Sequence, residues 1–157
     1  MTVVVADAGP LIALRQIDHL DLLRIVFERV TVPEIVAREV APTIPELPDW
    51  IAVERIPLAA APPEWPNLDD GERAALLLAR AIGARLVLID DLDGRNAAIR
   101  SGLAITGTAG VLLLAKRTGL IAEVRPLLDQ LSSTGFYLGR EIRRSVLAAA
   151  DESAETT

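Results

Sequence analysis

The sequence predicts an α/β fold with a mainly parallel central sheet. Three short apolar runs, Val3–Ala6, Leu86–Ile89 and Leu103–Thr106, show no polar alternation and read as strands buried on both faces. Segments of helical length separate them, which implies right-handed crossover connections between parallel strands. Two of the runs end in acid, the first at Asp7 and the second at Asp90-Asp91. Ligands of open α/β sheets bind outside the carboxyl ends of the strands, so these aspartates mark a candidate site.

Residues 2–6 form the first expected strand. Pro10 suits the first turn of a helix. Leu11, Leu14 and Ile17, followed by Leu20, Leu23, Ile25 and Phe27, then fit one broken helix or two short ones. Arg29–Val32 is a short strand, and Pro33 opens a helix over residues 33–40. Residues 41–67 hold seven of the ten prolines and read as an irregular surface flap or packing arm, with an edge strand over Trp50–Ile56. A helix from Asp69 or Asp70 runs to Ile82 and stops at Gly83. Arg85–Ile89 is the second buried strand, Asp93–Ser101 a helix stopped by Gly102, and Leu103–Thr106 the third buried strand. Helices over residues 108–117, 123–133 and 138–149 follow, then a polar, frayed tail from Asp151.

The 157 residues suit a single domain over residues 1–150 with a tail over 151–157. The absence of cysteine excludes disulfides and thiolate metal sites and fits a reducing compartment. No apolar run approaches the roughly 20 residues of a membrane span, and no basic leader precedes the first strand, so a cytoplasmic protein is expected. The net charge of −6 argues against a general nucleic-acid coat. Setting aside Asp7, Glu39, Glu72, Asp90 and Asp91 leaves 17 acidic against 16 basic residues. Setting aside the tail acids Asp151, Glu152 and Glu155 as well leaves 14 against 16, so a polyanionic substrate is compatible with a metal-neutralised cluster.

Each acid has a competing structural reading. Asp7 is equally suited to capping the helix near Pro10. On a helix from Pro33, Glu39 falls between Ile35 and Val36 in the apolar stripe, where a carboxylate must be paired, metal-bound or at the core's edge. Asp69-Asp70-Gly71-Glu72 has the D-x-x-E form of a capping box, which accounts for Glu72 as well as metal ligation does. Asp90 and Asp91 are adjacent and point apart, so one is expected to cap the next helix, where Asp93 competes. His19, the only histidine, reads as a surface residue. Gly107-Thr108-Ala109-Gly110 opens a helix and offers amides to an anion, but lacks a full phosphate-binding fingerprint. Lys116, Arg117, Arg140, Arg143 and Arg144 read as solvated helix faces with some capacity for phosphate contact.

An all-oxygen site suits Mg2+ or Mn2+. A divalent ion relieves repulsion among crowded carboxylates and activates water for in-line attack on a phosphodiester. The alternatives are a non-catalytic interaction module and, less well supported, a receiver-like phosphoacceptor built on the acids with Thr106 and Lys116.

The segments VVVADAGPLIAL, VTVPEIVAREV, GERAALLLARAIGARLVLIDDLDGRNAA and GTAGVLLLAKRTGLI, in this order from Val3 to Leu147, resemble the PIN-domain proteins, within them a prokaryotic branch of unknown function. The resemblance implies a Rossmann-like three-layer α/β/α fold. It also implies a Mg2+- or Mn2+-dependent ribonuclease like the VapC-type toxins, with an RNA substrate, a cognate antitoxin and a homodimeric state. It aligns Asp7 with the first family acid, Glu39 with the second and Glu72 with the third, where many of the toxins have Asp. Asp90-Asp91 covers the fourth without selecting between them. The toxins often carry Thr or Ser just before that fourth acid, and this chain does not.

Overall fold

The computed structural model describes residues 3–57, 65 and 67–152. Five strands form one sheet: β1 (Val4–Ala6), β2 (Val30–Pro33), β3 (Ile51–Glu54), β4 (Leu86–Leu88) and β5 (Ile105–Thr106). Eight helices accompany them among the described residues: α1 (Ala8–Gln16), α2 (Asp21–Phe27), α3 (Glu34–Val40), α4 (Asp70–Ile82), α5 (Leu92–Arg100), α6 (Thr108–Arg117), α7 (Arg125–Ser133) and α8 (Arg140–Ala149). The strand order is β3-β2-β1-β4-β5 and every pairing is parallel. Thr2, residues 58–64 and 66 of the expected flap, and the tail from 153 lie outside the described residues.

Side-chain alternation along the strands divides the core in two. Val4, Ala6, Leu88, Val30 and Val32 face a core completed by α1, α2, α3, α6, α7 and α8. Val5, Val87 and Ile89 face the opposite core, where α4 and α5 contribute Leu76, Ala79, Ala97 and Ala98. This is the expected three-layer α/β/α arrangement. Trp65 belongs to the second core: its indole N–H donates to Ser101 Oγ at 3.1 Å, and the Arg80 guanidinium lies 5.5 Å from its ring centroid. The proline-rich segment therefore does pack, at least through Trp65 and the buried Ile44.

Several elements differ from expectation. Helix α1 begins at Ala8, because Asp7 is its N-cap and Pro10 fits anywhere in the first turn. Pro33 ends β2 and caps α3 from outside instead of opening the helix. Strand β5 is at the sheet's edge and only half-buried, not the third fully buried strand. Helix α5 starts at Leu92, one residue before the expected Asp93, because the Asp91 carboxylate accepts from the Gly94 amide at 3.2 Å and takes the cap.

Glu152, the second residue of the tail expected from Asp151, is held in place, while the tail beyond it lies outside the described residues. The Glu152 carboxylate accepts from the amides of Val124 (2.7 Å) and Arg125 (3.0 Å) at the start of α7, and pairs with Lys116 at 3.0 Å. Lys116, expected on a solvated face, is thereby tied to Glu152, and it also donates to the Ala150 carbonyl. Glu152 thus supplies the cap that α7 lacks in its own sequence. Replacing it, Glu152→Ala, is expected to cost about 1–2 kcal/mol in urea denaturation, with Glu152→Gln losing less.

Candidate functional site

Strand order reverses between β1 and β4, the place where open α/β sheets bind their ligands. The parallel register pairs Ala6 with Leu88, and the Asp7 amide extends the ladder by donating to the Leu88 carbonyl at 2.9 Å. Asp7 and Asp90 therefore leave neighbouring strands at the same edge. Asp7 is 8% exposed and Glu72 is 7% exposed, while Asp90 is half-buried and Asp91 exposed.

Asp90 is gripped from the α6 side. Its carboxylate accepts from the Thr108 amide at 2.8 Å and from the Thr108 hydroxyl at 2.6 Å. The Thr108 amide expected to serve an external anion is therefore taken by the protein's own carboxylate. Gly107 permits this closeness: a Cβ there would stand 2.5 Å from Asp90 Oδ1 and 2.9 Å from an Arg95 guanidinium nitrogen. Arg95 in turn donates to the Ile89 carbonyl at 3.1 Å. Burial raises the Asp90 pKa, while the two Thr108 bonds and the Arg95 charge pull it back.

Glu39 reaches the site differently from expectation. The buried residues of α3 are Val36 and Val40; Ile35 is half-buried and Glu39 itself is exposed, so Glu39 lies beside the apolar stripe and not within it. Helix α3 packs against both α1 and α4, and the Glu39 carboxylate rests on Gly71 in the first turn of α4. A Cβ on Gly71 would stand 2.3 Å from Glu39 Oε1. Desolvation there, followed by the charges of Asp69 and Asp70, raises the Glu39 pKa.

Only half of the expected capping box is present. Asp69 accepts from the Glu72 amide at 2.8 Å, but the Glu72 carboxylate turns inward, and its Oε2 has no hydrogen-bond partner among the described residues. Burial pushes Glu72 up to about 8, reinforced by Asp69, Asp91 and Asp7. Asp7 is raised to about 7, by burial first and then by Asp69, Glu39 and Asp90; the Ala8 amide opposes part of this. Asp69 thus acts on Asp7, Glu39 and Glu72 alike. In the sequence it reads only as a cap, although its place at the head of a carboxyl-edge helix was the available signal.

All-oxygen donors with uncompensated negative charge match a hard divalent cation. The match is incomplete, because no group of three or more His, Asp or Glu among the described residues is arranged to hold a metal ion. Mg2+ commonly takes one or two carboxylates and completes its shell with water and substrate phosphate, which this arrangement allows. His19, expected on the surface, is half-buried and makes a 2.6 Å contact between Nδ1 and the Ile17 carbonyl, apart from the acids. A groove of about 520 Å3 adjoins α3 and α4 and is lined by Glu34, Arg38, Arg55 and Ala74.

The burial of Asp7 has a thermodynamic signature. Its raised pKa means the native state holds this proton more tightly than the unfolded chain, so Asp7 removes stability as pH rises from about 4 to about 7. Asp7→Asn, without divalent ions, is expected to exceed wild type in stability at about pH 8 by at most about 4 kcal/mol, and to match it near pH 4. Urea denaturation at both pH values checks this; an equal difference at the two would contradict the burial account.

No curated protein and no solved structure matches the chain. A family model described as a PIN domain matches residues 3–152, nearly the whole length. With its parallel three-layer fold and acidic residues at the reversal of strand order, the chain belongs to the PIN-domain family.

Proposed function

We propose that this protein is a cytoplasmic, Mg2+- or Mn2+-dependent endoribonuclease, and the toxin of a toxin–antitoxin pair. The observation that carries the nuclease reading is the convergence of buried Asp7, which no cation compensates among the described residues, with clamped Asp90 at the reversal between β1 and β4. The toxin role, the cognate antitoxin and a homodimer rest on the family resemblance.

Asp7, Glu39 and Asp90 would hold the metal, directly or through bound water, since no three acids among the described residues are arranged to ligate one ion together. Asp91 is the weaker candidate for ligand, being exposed and committed to the cap of α5. A bound divalent ion supplies Lewis-acid polarisation of a phosphoryl oxygen and a more acidic water. Glu72 Oε2 is buried and unpartnered among the described residues, and in its ionised form, which a nearby divalent cation would favour, it would accept the proton from the attacking water. As water attacks phosphorus in line, the bond to the leaving oxygen breaks; that oxygen takes a proton from solvent and departs as a hydroxyl, and Glu72 returns its proton to solvent. Thr108 and Arg95 position Asp90 through this step.

The lack of a ready three-ligand group among the described residues favours a second reading, a PIN-fold module that binds partners without catalysis. Mn2+ separates the two: a nuclease gains thermal stability from millimolar Mn2+, whereas a metal-free module does not.

Wild-type protein is expected to cleave single-stranded RNA with Mn2+ or Mg2+, and Asp7→Asn to lose that activity; equal cleavage by both sinks the proposal. Gly71→Ala is more selective. The flexible end of Glu39 can swing away from the added methyl group, and alanine is favoured over glycine in a helix by about 1 kcal/mol. The variant is expected to stay folded at undiminished stability, to show a smaller Mn2+-induced rise in Tm, and to cleave about a hundredfold more slowly.

A further inference from the structure

Four of the fifteen arginines line one groove of about 200 Å3 between α7 and α8: Arg125, Arg140, Arg143 and Arg144, with Leu147 at its floor. Only part of this charge is answered internally. Arg143 pairs with Asp129 at 2.6 Å, and Arg125 donates to the Glu152 carbonyl at 2.6 Å. Arg140 and Arg144 are exposed and have no ion-pair partner among the described residues. Arg140 is also the first residue of α8, where the helix dipole disfavours a cation, and Gly139 before it offers no side-chain cap. A protein of net charge −6 therefore concentrates unneutralised guanidinium groups where they repel one another. Local conflicts of this kind mark functional surfaces. An anion resolves this one: guanidinium groups bind phosphate through paired N–H donors, and their aliphatic stems with Leu147 suit a sugar face.

We propose that the α7–α8 groove is a docking site for the phosphodiester backbone of single-stranded RNA, separate from the acidic cleft. The proposal rests on the ribonuclease reading: a divalent ion at the acids would engage one phosphate, and the flanking phosphates of a longer strand need a basic surface elsewhere. An acidic protein segment is the competing occupant. RNA is favoured because its evenly repeated phosphates and sugar faces match several guanidinium groups set beside an apolar residue in one groove.

The test uses fluorescence anisotropy of a labelled single-stranded RNA in the Asp7→Asn background, which binds without cleaving. Arg140→Ala with Arg144→Ala is expected to weaken binding about tenfold per arginine and to reduce the salt slope by about 0.7 for each phosphate no longer neutralised. Arg24→Ala with Arg29→Ala, exposed residues outside the groove, makes the same change in net charge and is expected to have much the smaller effect. Equal weakening by both pairs, or no weakening by the groove pair, would overturn the site. So would tighter binding of labelled poly-glutamate than of the labelled RNA, lost on Arg140→Ala with Arg144→Ala. Cleavage by the wild-type scaffold with a neutral groove variant leaves the nuclease reading standing while removing the groove; absence of both cleavage and RNA binding removes both.

Discussion

The parallel pairing of β1 with β4 is the constraint on which the site depends. Strand order reverses there, so the helices leaving the two strands pass to opposite faces of the sheet and leave a crevice between them. The ladder runs without a slip from Val4–Leu86 to Ala6–Leu88 and continues through the Asp7 amide. A one-residue slip of β1 would turn Val5 away from the α4–α5 core and carry Asp7 off the edge it shares with Asp90. The burial that holds the sheet together is thus the same burial that strips water from Asp7.

Close approach of elements does the rest. Glu39 and Asp90 come from different layers, and each rests on a glycine at the start of a neighbouring helix: Gly71 under Glu39, Gly107 under Asp90. Neither glycine needs a positive φ; what each supplies is the missing Cβ. Negative charge accumulates as a result. Asp69 raises Asp7, Glu39 and Glu72, and among the described residues the cation that acts on these acids is Arg95, beside Asp90.

Much of this was legible in the sequence because it depends on short-range pattern. Continuous β-branched runs specify buried strands, and a strand that ends in acid specifies where that acid goes. The α3 stripe pointed to Glu39 for a partly mistaken reason: Glu39 lies outside the buried stripe, and what matters is its reach to Gly71 across a helix–helix contact that periodicity does not encode. Glu72 read as a reciprocal cap, yet its side chain is drawn inward by the packing of α4 on the sheet. Asp69 and Thr108 show only local roles in the sequence, because their influence on the acids depends on which helix starts share an edge. Glu152 was invisible for the same reason, its partners Val124 and Arg125 lying far back along the chain.

That shared edge explains why the acids are tolerated at all. Because the strands are parallel, α1, α3, α5 and α6 each begin at the carboxyl edge directly after a strand or a few residues beyond it, and α4 starts against α3. Their N-terminal amides are partial positive charges directed at the carboxylates. Asp69, Asp90 and Asp91 each accept one of these amides, so capping a helix and holding a site acid are a single event at those positions. Asp7 is the exception. It stands at the cap of α1 and draws only on the Ala8 amide, too little to offset its burial, while Glu72 Oε2 is unmatched among the described residues. Helix ends thus neutralise the outer acids and leave the inner two short of positive charge. That shortfall at the innermost point of the cleft, and not the number of acids around it, is what a divalent cation would answer.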